Sequence, residues 1–215
     1  MVIQEQMQNN EKKKGQSFFA RRFTPKRLAV MGVFVALSFV VSLLEIPMPL
    51  FGAVFLKLDF SNVFIVLISF LLGPLEGVIV CFLKEALRCF FPTFSSSLCA
   101  GELANFIITS TYLLIPSIAY QKKRTLKTVL ISLSIACVVA TGFALLANRF
   151  IIFPVYAYVM GGAIRLGGMT WTVTEAFSAL WLGVLIFNVI KTVAVGVVTL
   201  LLYKRLSNFL KKLKI

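Results

Sequence analysis

"ALWLGVLIFNVIKTVAVGVVTLLLYKRL", residues 179–206, carries 25 residues without an acidic or basic group apart from one lysine, Lys191, before its basic end. A run of that length and composition exceeds the ~20 apolar residues that a helix needs to cross a bilayer. Lys191 follows Asn188 by three residues, so the amide and the ammonium share one helix face. At ~1.5 Å per residue the lysine lies about 20 Å from Lys204, too deep for its side chain to reach an interface. A lysine at a helix centre costs roughly 2.5–3.5 kcal/mol on insertion scales, so it requires a polar partner or a hydrated cavity.

The rest of the chain belongs to the same class. Of 215 residues 59% are apolar and 14% charged. The runs 28–44, 60–72, 75–91, 103–120, 129–147 and 179–203 each read as helix, because a chain in lipid must satisfy its own backbone. The expectation is an all-α integral membrane protein with six transmembrane helices. The second and third runs are the weak ones: 60–72 is short, and 75–91 contains Lys84, Glu85 and Arg88, so a re-entrant pair is the alternative there. Lysine and arginine cluster at 12–27, 122–127 and 204–214, which together hold 16 of the 22 basic residues. Six spans put all three clusters on one side, the cytoplasm by the positive-inside rule, with both termini there. The net charge of +14 then reads as topology and contact with anionic lipid, not as nucleic-acid binding. The expected organisation is a polar tail over 1–20, a membrane domain over 21–206 and a basic tail over 207–215. "RRFTPKR" before the first run imitates a signal peptide, but the apolar run is longer than a usual h-region and reads as a retained span. The four cysteines lack CxxC spacing and read as packing residues.

Catalytic and nucleotide motifs are missing. The chain has no histidine, the commonest general base and metal ligand. "KEALR" lacks the second glutamate of a membrane protease, and no GxxxxGK[ST] loop is present. "GGAIRLGG" has no strand–loop–helix context and reads as a mobile loop. The expectation is therefore no catalytic residue, no metal and no cofactor.

Polar residues inside the spans remain. Asn105 in "GELANFI", at the outer part of the fourth run, and Asn148 in "LLANRFIIFP", at the outer end of the fifth, are candidates for the same cavity as the Asn188–Lys191 pair. Amides that donate and accept, with one cation that only donates, suit a ligand rich in hydroxyls and carbonyls. The alternative for Lys191 is a structural salt bridge to Glu85 or Glu102. The outer loops add apolar surface in "IPMPLFGAVFL", "FIIFPVYAYVM" and "MTWTV". Such aromatics also mark membrane interfaces, but a cavity with a polar floor and an aromatic lip suits a planar heterocycle bearing a polyol.

The succession "FLKLDFSNVFIVLISFLLGPLEGVIVCFLKEALRCF", "GELANFI", "ANRFIIFPVYAYVM" and "FNVIK" resembles the riboflavin-specific substrate-binding subunits, or S components, of energy-coupling-factor (ECF) vitamin transporters, over roughly residues 22–204. The resemblance implies the S-component fold in a bacterial plasma membrane. It implies that Asn148, Asn188 and Lys191 contact the ribityl chain or ring edge, with Asn105 nearby, and that the first loop, with Leu50, Phe51 and Phe55, covers the ring. It also implies a membrane coupling protein, the T component, and two cytoplasmic ATPases as partners. Members dock through Ala-x-x-x-Ala on the first helix; here the stripe is Ala29, Gly32 and Ala36, with glycine replacing one alanine, and internal packing would account for it equally. A subunit for another vitamin such as pantothenate, or a noncatalytic scaffold or sensor, are the alternative functions.

Overall fold

A computed structural model describes residues 23–48, 50, 56–91, 99–123, 125–162, 164–166 and 169–212, with side chains described through residue 202. The tail 1–20 and the loop residues Phe51 and Phe55 lie outside the described residues.

Each of the six apolar runs folds as a helix. Helix α1 (Pro25–Ser42) starts at Thr24, whose hydroxyl accepts from Arg27 N, with Pro25 in the first turn where its missing N–H costs nothing. Helix α2 (Ser61–Leu71) is separated from α3 (Pro74–Cys89) by Gly73, whose φ of 138° is open only to glycine, followed by a proline that begins the new helix. Helix α4 (Ala100–Lys122) and α5 (Leu126–Ala147) follow. The chain continues through a π turn (Asn148–Ile152) into α6 (Phe153–Val159), then α7 (Val173–Lys212). Among the described residues two antiparallel ribbons depart from the expected all-helical chain: β1 (Ile46–Pro47) with β2 (Lys57–Leu58), and β3 (Ile164–Leu166) with β4 (Met169–Trp171). They lie between α1 and α2 and between α6 and α7.

Among the described residues four helical stretches are long and apolar enough to cross a membrane: Pro25–Ser42, Ala100–Lys122, Leu126–Val159 and Val173–Leu202. The two short helices have a structural explanation. Helix α2 is sheathed by α1, α3, α4 and α7, and Val63, Ile65, Val66, Leu67 and Ile68 are almost wholly buried, so it is apolar all round because it meets protein all round. Helix α3 is inverted. Its buried face runs through Glu76, Gly77, Val80, Cys81, Lys84, Glu85 and Arg88, while Phe82, Leu83 and Leu87 face outward. The charges that weaken its sequence as a span are turned inward.

Two element boundaries differ from the sequence reading. The fifth run does not end at Ala147: the helix goes on through the π turn, which accommodates Pro154, a residue with no N–H to give to the carbonyl four positions back. The last helix begins at Val173, six residues before the apolar run. A capping box fixes that start: Thr172 Oγ1 accepts from Glu175 N at 3.3 Å and Glu175 Oε2 accepts from Thr172 N at 2.9 Å. At its other end α7 extends to Lys212, so the basic residues from 204 continue the same helix.

Candidate functional site

A cavity of about 160 Å3 opens between α3, α4, α7, the π turn and the β1–β2 ribbon. Asn105, Asn148, Asn188 and Lys191, predicted from three places in the sequence, all line it. Their local structure explains how. Asn148 is the first residue of the π turn, which turns this part of the helix away from strict α geometry. The Nδ2 of Asn148 donates to Ala144 O and the Nδ2 of Asn188 to Val184 O, both at 2.8 Å. Neither amide oxygen bonds to another described residue, which leaves two acceptors at the cavity wall. The depth of α7 is fixed by Tyr112 on α4, whose hydroxyl donates to Thr192 O at 2.8 Å, next to Lys191. Close approach at that crossing needs Gly196, where a Cβ would sit 2.9 Å from the tyrosine hydroxyl.

Lys191 is both paired and at the cavity. Its Nζ donates to Asn105 Oδ1 at 3.0 Å and lies 3.6 Å from Asp59 Oδ2. The expected carboxylate partners, Glu85 and Glu102, are engaged elsewhere: Lys84 pairs with Glu85 at 2.7 Å, and Arg88 Nε stands 3.8 Å from Glu102. Asp59 instead reaches Lys191 because it precedes α2, where its Oδ1 accepts from Ser61 N at 2.9 Å and from the Ser61 hydroxyl. Burial alone would raise the Asp59 carboxyl; Lys191, Lys84 and the Ser61 bonds overcome that and hold it well below the usual carboxylate range.

A second group of charges stands at the side of the cavity. Arg88 bonds Glu45 and donates through Nη1 to Ser42 O at 2.7 Å, and Lys57 Nζ lies 2.7 Å from the other Glu45 oxygen. Burial would raise Glu45, but hydrogen bonds from Lys57 and Arg88 lower it. Asn105 links the two groups, donating to Glu85 while accepting from Lys191. Tyr156, Phe187, Ile108, Ile152 and Leu56 supply apolar wall.

Sequence reasoning missed Asp59, Glu85, Arg88, Glu45, Glu102 and Lys57 as cavity residues. The signal was present in "KEALR", whose charges recur on one helix face, and in "LDFS", where an acidic residue immediately precedes a buried apolar helix. Of the expected cover, Leu50 packs with Met48 against a cluster formed by Leu56, Leu58, Phe153, Ile164, Leu180 and Phe187. Ala29, Gly32 and Ala36, the stripe expected to dock, are exposed among the described residues, and a Cβ on Gly32 would meet nothing within 4 Å. Among the described residues no group of histidine, cysteine or carboxylate side chains is arranged to hold a metal.

Residues 26–203 match the family model "ECF transporter, substrate-specific component". The chain is 32% identical over 188 residues to the riboflavin transporter RibU of Staphylococcus aureus (strain TCH60), covering 87% of this chain and 94% of that protein. It is 26% identical over 187 residues to the riboflavin transporter FmnP of Bacillus subtilis (strain 168), covering 87% and 95%. A solved structure described as the S component of a bacterial ECF transporter superposes with a TM-score of 0.69 at 33% identity, over 86% of this chain and 98% of that one.

Proposed function

The chain belongs to the substrate-specific components of ECF transporters, and from that premise we propose that it captures riboflavin from outside the cell and presents it for ATP-driven uptake. The observation that carries the choice of ligand is the convergence of Asn148, Asn188 and Lys191 on one cavity. Two free amide oxygens accept from hydroxyls, and the ammonium donates to hydroxyl or carbonyl oxygens, as a ribityl chain and a flavin ring edge require. The apolar wall suits the ring, with the first loop around Leu50, Phe51 and Phe55 as its cover. The names of the two relatives support the same ligand.

In this reading the protein sits in a bacterial plasma membrane with six passes and both termini in the cytoplasm, where the basic clusters meet anionic lipid. The tails 1–20 and 207–215 flank a membrane domain over 21–206. The exposed stripe Ala29, Gly32, Ala36 is the docking face for the T component, since small residues let helix backbones approach closely. Two ATPases joined to that component hydrolyse the ATP, and this chain carries out no bond chemistry. Riboflavin titrated against the purified protein, followed by flavin fluorescence, tests the reading: saturable binding of one flavin per chain is expected. Pantothenate binding without flavin binding would assign the chain to a sister subunit, and binding of neither would favour the scaffold.

A further inference from the structure

The cavity is lined by four carboxylates, Glu45, Asp59, Glu85 and Glu102, and three cations, Lys57, Arg88 and Lys191. A fourth cation, Lys84, is wholly buried behind them against Glu85. Every one of the eight has an opposite charge within 4 Å: Lys57 and Arg88 on Glu45, Arg88 on Glu102, Lys84 on Glu85 and Lys191 on Asp59. The site is thus strongly polar and yet electrically neutral. Lys191 is the cation placed among the free amide oxygens, and Asp59 is the residue that cancels it.

We propose that Asp59 is a specificity-determining residue, which neutralises Lys191 and so makes the site select an uncharged polyhydroxylated flavin over the same flavin carrying a 5′-phosphate. The inference rests on the riboflavin reading above. A neutral polyol needs donors and acceptors, which Lys191 and the asparagines supply whether or not the ammonium is paired. A phosphate monoester brings a charge of about −1.5 to −2 and must lose water to enter. With each cation already matched it finds no uncompensated positive charge. Removing Asp59 leaves one at Lys191, which lines the same cavity as the free amide oxygens.

The test measures Kd for riboflavin and for riboflavin 5′-phosphate on purified full-length wild type, Asp59→Asn and Lys191→Met, and compares the ratio of the two constants. The wild type is expected to favour riboflavin. In Asp59→Asn the preference should shrink by about tenfold or more. In Lys191→Met, which leaves Asp59 unmatched, the preference should grow. The opposite signs separate charge matching from a structural role, which would weaken both ligands alike in both variants. An unchanged ratio in the variants overturns the inference while leaving riboflavin capture standing. Should Asp59→Asn fail to fold, the direction of the Lys191→Met ratio decides alone, and a smaller preference there overturns the proposal. Absence of riboflavin binding by the wild type overturns the functional reading and this inference with it.

Discussion

At Lys191 a binding role and a structural pair, which the sequence presents as alternatives, coexist in one ammonium that lines the cavity and lies 3.6 Å from Asp59. Lys191→Met removes a charge-assisted bond to the ligand, roughly 1.5–3 kcal/mol, so riboflavin affinity should fall about tenfold or more. It also strands the buried Asp59 carboxylate and should lower the melting temperature. The double variant Lys191→Met/Asp59→Asn separates the two effects: melting should recover while riboflavin affinity stays low, and recovery of both would show that Lys191 only holds Asp59. The depressed carboxyl makes a pH prediction as well. A carboxylate with a lowered folded pKa gives its full stabilisation above its unfolded value of about 3.9 and loses it only as pH falls through the folded one. Riboflavin affinity should therefore be flat from about pH 5 to 8, and a transition within that window would mean that Asp59 is not held ionised by its lysines.

Between elements, α2 and α3 approach closely at Gly77. A Cβ on Gly77 would lie 2.5 Å from Ser69 Cβ and 3.1 Å from its Cα, so an alanine there must push backbone apart. Gly77→Ala should destabilise by about 1–3 kcal/mol, read as a lower melting temperature in detergent, whereas Gly142→Ala, with open space around it, should not. Because α3 carries Lys84, Glu85 and Arg88, riboflavin affinity should fall with the same Gly77 change. The exposed face of α1 behaves differently. A Cβ at Gly32 meets nothing within 4 Å among the described residues, so in Gly32→Leu melting and riboflavin binding should be preserved while association with the T component and uptake are lost. Loss of binding in Gly32→Leu would remove the stripe from the docking face.

Across the whole molecule, the placement of the three basic clusters predicts the sidedness of the loops. In a background with the native cysteines replaced, a cysteine at position 207 should react with an impermeant thiol reagent only from inside, and one at position 162 only from outside. Reaction of both from outside would remove one pass. The ribbons bind this arrangement to the site. Glu45 before β1 pairs with Arg88 on α3 and with Lys57 on β2, so residues outside the helices form one side of the cavity wall.

The residue types and their spacing decided the class, the helices and the likeness to vitamin-binding subunits, because length, apolarity and the positive-inside bias are local properties. Asn188 and Lys191 stood out for the same reason: one turn of one helix, at a depth where lipid penalises charge. What fills the space around them was not local. Lys84, Glu85 and Arg88 look like defects of a span until α3 is seen to turn them inward, and Asp59 reads as a loop residue until it meets Lys191 across 132 positions of sequence. Which carboxylate neutralises which cation depends on the distances between helices, and only the packed bundle sets those distances.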